Sequence, residues 1–302
     1  MNDRKHGGAV VPLVTPVTAA GDVDDAALDR LIDFQLAGGV EGIFVLGTTG
    51  EGPSVPRASR ARTVERTVAR VGKRSLVYAG IGDTCLADSV LAGNQYLRAG
   101  VDAVVAQPPV YFPLQPHELL AYFKALLAAI EGPLIIYNIP QTTRVSIPLE
   151  VLEELLGHPK FVGFKDSEND EKRHQELIRR FGSAQGFALF VGVGTLMAKG
   201  LKLGARGIVP SVGNLIPEAC HQLCASIARG DTAEAERHAD RMAAVAALYQ
   251  KGRTLGQSLA ALKAALHLKG LCTPHMLPPL LPVSEPELET LRAEMRQLKL
   301  LD

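Results

Sequence analysis

The sequence predicts an α/β fold, a closed (β/α)8 TIM barrel with a C-terminal helical extension. Eight short apolar runs rich in β-formers recur along the chain, separated by stretches of helical period. Several runs are apolar throughout rather than alternating, as expected of strands covered on both faces. Strands that alternate with helices imply parallel pairing and right-handed crossovers. Eight such units within about 230 residues fit a closed barrel better than an open doubly wound sheet. No GxGxxG opens a helix after the first strand, which also counts against the open sheet.

In order, the runs are AVVPLVTP (9–16), GIFVL (42–46), SLVYAG (75–80), DAVVA (102–106), PLIIYN (133–138), FVGFK (161–165), FALFV (187–191) and GIVPS (207–211). The first helix presents Leu28, Leu31, Ile32 and Phe34 after Asp24, a good N-cap, and stops at Gly38-Gly39. Further helices fall near 57–71, 86–99, 117–130, 148–156, 169–181, 195–203 and 216–229, several of them closed by a glycine such as Gly100 or Gly204. From about 231 onward there is no further strand; 231–250, 258–270 and 284–301 read as helices rich in Ala and Leu. Residues 1–230 are therefore assigned to a barrel carrying the active site, and 231–302 to a helical extension packed on it.

Composition excludes several partners. Lys+Arg and Asp+Glu both total 32 in 302 residues, so there is no electrostatic footprint for nucleic acid or an anionic membrane. Trp is absent and aromatics make up 5%, too few for a base-stacking surface. The start, MNDRKHGG, lacks an apolar signal core, and no stretch approaches the roughly 20 apolar residues of a membrane span. Cys85, Cys220, Cys224 and Cys272 form no CxxC pair, so reduced thiols and a cytoplasmic location are expected. None of the eight histidines lies in HxH or HExxH spacing, so no metal is expected.

The segment FVGFKDSEND (161–170) raises the chemical question, because a lysine closes an apolar run. On a strand Phe161, Gly163 and Lys165 share one face. Lys165 then stands at the C-terminal end, where barrel enzymes carry their reacting groups, with Gly163 leaving room below it. A buried ammonium costs free energy unless it is paired or deprotonated. Desolvation that brings its pKa from about 10.4 toward 7–8 yields an amine able to attack a ketone. The competing reading is a lysine that snorkels outward or pairs with Asp166 or Glu168. On PLIIYN, Tyr137 again ends the strand, either as a phenol that shuttles protons or as a core cap with a wet hydroxyl. GTTGEGPS (47–54) offers two hydroxyls beside free amides, suited to a carboxylate, with one hydroxyl able to relay a proton to Tyr137; Glu51 reads equally as a cap on the next helix. No GxxxxGK[ST] is present, so this is not a phosphate loop.

Together GTTGE (47–51), YNIP (137–140) and GFKD (163–166) resemble the dihydrodipicolinate synthase/N-acetylneuraminate lyase family of class I aldolases. The resemblance extends over VVPLVTP (10–16), GVDAVVAQPPVYFP (100–113) and LGARGIVPSVGN (203–214). It implies a barrel assembled as a homotetramer, with Lys165 forming a Schiff base to pyruvate or another 2-oxo acid and Tyr137 as general acid/base. It implies that Thr48 and Tyr111 complete a hydroxyl relay, Tyr111 reaching a neighbouring subunit's site. It further implies that Thr49 holds the 2-oxo acid carboxylate and that the Val209 carbonyl lies near the imine. No cofactor beyond the covalent imine is implied.

The second substrate, an aldehyde, is less directly written. Family synthases that condense pyruvate with aspartate semialdehyde carry Arg-Thr-Gly after YN(V/I)P, the arginine binding the aldehyde's carboxylate. Here YNIPQTTRVSIP puts Thr142 in that place and Arg144 two residues on. FVGVGTL (190–196) also lacks an acidic residue that many relatives have. The expected activity is therefore an aldolase for 2-keto-3-deoxy sugar acids, with dihydrodipicolinate synthase as the alternative. A dehydratase using the same imine and a non-catalytic 2-oxo acid binder are further alternatives.

Overall fold

The computed structural model describes residues 6–301. Eight parallel strands close into a barrel in sequence order: β1 (Gly8–Pro12), β2 (Gly42–Val45), β3 (Leu76–Gly80), β4 (Ala103–Ala106), β5 (Leu134–Asn138), β6 (Phe161–Asp166), β7 (Ala188–Val191) and β8 (Gly207–Ile208). The crossovers carry α1 (Asp25–Ala37), α2 (Arg57–Val71), α3 (Leu86–Ala99), α4 (Pro116–Ala129), α5 (Pro140–Thr143), α6 (Leu149–Leu155), α7 (Glu171–Phe181), α8 (Met197–Leu203) and α9 (Pro217–Arg229). Asp24 caps α1 as its side chain suggests, accepting from the Ala27 N–H at 3.0 Å.

Two apolar runs continue three or more residues past the end of their strand. The run 9–16 leaves the sheet after Pro12, because the Val14 amide is taken by Asn214 Oδ1 at 3.1 Å. The run 207–211 pairs only over Gly207–Ile208; Pro210 has no N–H to give, and Ser211–Asn214 coil into a 3₁₀ turn. The four-residue helix α5 was not anticipated. It is too short to carry a period.

Inside the barrel, Val10, Phe44, Tyr78, Val105, Ile135, Ala188 and Phe190 pack into a second apolar core, separate from the layer between strands and helices. The interior is filled, as barrels of eight strands are. Anything that reacts must do so at the open C-terminal end of the strands.

The extension consists of α10 (Thr232–Gln250), α11 (Leu255–Leu268) and α12 (Glu285–Gln297). Helix α10 packs on α9, and α11 lies between α10 and α12. Residues 258–266 of α11 are all buried, so this helix is enclosed on every side. Among the described residues no helix is long and apolar enough to cross a membrane. All four cysteines are free thiols.

Candidate active site

Strands β5 and β6 pair in register so that Tyr137 sits opposite Lys165 and Asn138 opposite Asp166. The pleat turns Tyr137 and Lys165 into the barrel mouth and sends their polar neighbours to the helix side. Lys165 is 6% and Tyr137 4% exposed. The Lys165 Nζ lies 3.8 Å from the centroid of the Tyr137 ring and 5.2 Å from that of Phe44. Burial lowers the Lys165 pKa from the ordinary lysine value, while the neighbouring Tyr137 phenol draws it partly back.

The pairing of Lys165 with Asp166 or Glu168 is not formed. Arg173 takes both carboxylates, with Nε 2.7 Å from Asp166 and 3.3 Å from Glu168. Asn138 Nδ2 donates to Asp166 at 3.1 Å and to Glu168 at 2.9 Å, and the Ser146 hydroxyl to Glu168 at 2.6 Å. This outer network fixes the ends of β5 and β6 and satisfies every carboxylate adjacent to the lysine. Lys165 is left buried with no anionic partner among the described residues.

Gly163 is present for a different reason from the one its position suggested. A Cβ there would lie 2.7 Å from the Ala188 carbonyl oxygen of β7, so close strand approach, not room for Lys165, requires glycine.

The loop after β2 closes one wall. Thr48 and Thr49 line the cleft together with Tyr137 and Lys165, and no backbone acceptor among the described residues takes their amide N–H groups. Gly50 is held from beneath by the Thr15 hydroxyl, which donates to its carbonyl at 2.6 Å. Free amides and hydroxyls facing a cleft can bind a carboxylate. Glu51 stands at the start of a 3₁₀ turn, Gly52–Ser54, but its side chain does not cap the turn. It is 3% exposed and its carboxylate accepts from Lys263 of α11 and from the Leu277 amide.

The cleft has a volume of about 620 Å³. A larger concavity of about 1090 Å³ runs between α2 and α3 on the outside, lined mainly by Ala, Val and Leu side chains. It lacks the convergent polar groups that mark a reaction site. In the cleft, Val209 lies 5% exposed beside Lys165. Thr142 stays outside: it is exposed, its hydroxyl bonds the Ile139 carbonyl at 3.3 Å, and Gln141 faces the cleft in its stead. Arg144 is exposed, in a left-handed conformation with φ 60°, and does not line the cleft. Tyr111 is 78% exposed, stacks edge-on against Phe112 and does not line the cleft.

Several lining residues were not singled out from sequence. Ser167 places its hydroxyl 3.4 Å from the Tyr137 hydroxyl, and its position directly after GFKD is a readable signal. Gly192 makes room for it, since a Cβ there would lie 2.1 Å from Ser167 Oγ. Gln250, Arg253 and Ser258 come from the extension, and no local pattern announces them. Ser211 Oγ, 2.7 Å from the Tyr249 hydroxyl, joins the mouth to α10. Among the described residues no three His, Cys, Asp or Glu side chains gather as metal ligands.

A model of the dihydrodipicolinate synthetase family matches residues 5–298. The 4-hydroxy-tetrahydrodipicolinate synthase of Thiobacillus denitrificans is 30% identical over 294 residues, 97% of each chain. The dihydrodipicolinate synthase structure from Bacteroides thetaiotaomicron superposes with a TM-score of 0.92 at 31% identity, covering 97% of this chain and 99% of that one. YagE of E. coli K12, a family protein solved in complex with pyruvate, gives a TM-score of 0.92 at 26% identity, covering 98% and 99%.

Proposed function

The chain belongs to the dihydrodipicolinate synthetase family and is a carbon–carbon lyase, and from that premise we propose that it captures pyruvate, or a close 2-oxo acid, as an imine on Lys165. The observation that carries this reading is a lysine buried at a strand tip with its neighbouring carboxylates bound elsewhere. The pyruvate bound to YagE supports the choice of 2-oxo acid.

The neutral Lys165 amine attacks C2 of the 2-oxo acid, and the Tyr137 phenol donates a proton to the departing hydroxyl, which leaves as water. The resulting iminium withdraws electrons, so C3 gives up a proton to the Tyr137 phenolate left by the preceding step and becomes the enamine carbon. That carbon adds to an aldehyde, and hydrolysis of the imine restores the free lysine; the reverse sequence releases pyruvate. Thr48 and Ser167 both lie beside Tyr137 and relay its proton. The Thr48–Thr49 amides take the substrate carboxylate, and Val209 packs against the reacting carbon. The route uses no metal or organic cofactor. Tyr111 is assigned to a neighbouring subunit's site in a cytoplasmic homotetramer.

Two readings of the aldehyde have support. Kinship favours aspartate semialdehyde, since the named relatives are 4-hydroxy-tetrahydrodipicolinate synthases. Arg253 lines the cleft from the extension while paired with Glu287 at 3.0 Å and donating to the Leu248 carbonyl at 3.1 Å. By turning from these partners it would give that aldehyde's carboxylate a guanidinium in place of the one missing at Thr142. The cleft wall favours a hydroxylated aldehyde from a 2-keto-3-deoxy sugar acid, because Gln141, Asn169, Thr195 and Ser258 are neutral donors and acceptors.

Borohydride reduction with pyruvate tests the common step: the peptide bearing Lys165 gains the reduced pyruvate adduct, whereas an unmodified peptide sinks the proposal and favours a non-catalytic binder. Pyruvate consumption with aspartate semialdehyde and with glyceraldehyde then separates the two readings. If aspartate semialdehyde is the partner, Arg253→Ala raises its KM by about tenfold to a hundredfold, the loss expected for one charge-assisted contact. If glyceraldehyde is the partner, the same change leaves KM nearly unaltered.

A further inference from the structure

The catalytic route does not use the buried ion pair between Glu51 and Lys263, although Glu51 directly follows Thr48-Thr49-Gly50. Both side chains are 1% exposed. Lys263 stands on α11, 212 residues later in the chain, and its Nζ also donates to the His275 carbonyl at 2.9 Å. The second carboxylate oxygen of Glu51 accepts from the Leu277 amide at 2.8 Å. One glutamate thus receives two donors from the extension, and each donor comes from a different segment of it.

A buried ion pair of this kind is seldom the most stable way to fill its volume, since apolar side chains of similar size do as well or better. What it does supply is a fixed geometry. Glu51 itself has φ 52°, a left-handed backbone that disfavours a residue with a Cβ and persists only where its surroundings hold it. Those surroundings are the extension on one side and a tight underside on the other. A Cβ at Gly52 would lie 2.0 Å from the Leu46 carbonyl oxygen, and one at Gly50 2.8 Å from that of Leu13.

We propose that Glu51 and Lys263 are positioning residues for the carboxylate-binding loop, so that the C-terminal extension sets how Thr48 and Thr49 face the substrate. The inference rests on the imine reading above, and it makes α11 part of substrate selection. Neither residue touches the substrate; each acts through the loop.

The test compares pyruvate with methyl pyruvate, its neutral ester, in borohydride trapping on intact protein. Native protein captures pyruvate at far lower concentration than the ester. In Lys263→Met, and in Glu51→Gln combined with Lys263→Met, that preference falls by roughly tenfold to a hundredfold, the scale of loss from misplacing a group by about 1 Å. The ester's own half-saturation changes little. The double variant leaves no unpaired charge and carries the test should the single variant fail to fold, as thermal melting reports. A folded double variant with the native preference overturns the proposal while leaving the imine reading intact. Absence of any adduct on native protein overturns both.

Discussion

Two lysines are buried near the barrel mouth, and they have opposite surroundings. Lys263 meets a carboxylate and a carbonyl, so its charge is compensated. Lys165 meets the faces of Tyr137 and Phe44, while Arg173 and Asn138 occupy the carboxylates of Asp166 and Glu168, its neighbours in sequence. Burial is nearly equal in the two; compensation is not. A lysine becomes a nucleophile when its charged form is disfavoured, and burial without an anionic partner does that at Lys165.

The contrast breaks most visibly by removing each amine. Lys165→Ala is expected to abolish turnover with every aldehyde and to eliminate the borohydride adduct, as mass spectrometry of the digested protein reports. Residual turnover at a tenth of the native rate would mean that another group performs the chemistry. Tyr137→Phe keeps the ring beneath the amine and removes only the hydroxyl. It should lower kcat by about 10²–10⁴, the usual contribution of a positioned acid or base. A smaller loss would shift the proton to Ser167, 3.4 Å from that hydroxyl.

Stability should answer with opposite signs. Lys263→Met leaves Glu51 charged in a dry site, and unpairing a buried ion costs about 3–5 kcal/mol. Lys165→Met removes an uncompensated charge and should gain about 0.5–2 kcal/mol, the range seen when a site held for function is relaxed. Urea unfolding at neutral pH measures both. Equal signs would end the comparison.

How far the sequence announces these environments depends on the range of the interactions. The strand ending at Lys165 is readable because an apolar run and its closing polar residue are contiguous, and the same holds for Tyr137. The register that sets Tyr137 opposite Lys165 follows once the barrel is inferred. Where a remote side chain intervenes, local reading stops. Val14 looked like a strand residue, but its amide is captured by Asn214 across 200 positions. Glu51 looked like a helix cap, and its partners lie on α11 and beyond. Thr142 was placed in the site by motif alignment; a four-residue helical turn rotates it outward and brings Gln141 to the cleft. Such rotations arise from backbone geometry that composition does not encode.

The mildest expected effect is a pH dependence that comes from Lys165. The folded-state pKa of Lys165 is lowered, chiefly by burial. Between that lowered value and the ordinary lysine value of about 10.4, the unfolded chain binds a proton that the folded chain does not. Stability therefore rises with pH through this window, because the slope follows the excess of protons bound by the unfolded state. Below the window both states are protonated and the full cost of burying the charge is felt; above it neither is, and the cost vanishes. Unfolding free energy measured across the window should climb in the native protein and lose that component in Lys165→Met. The pyruvate trapping rate should rise through the same lowered value, as the free amine becomes available. A trapping profile that instead keeps rising to about 10.4 would mean that burial leaves this amine an ordinary lysine.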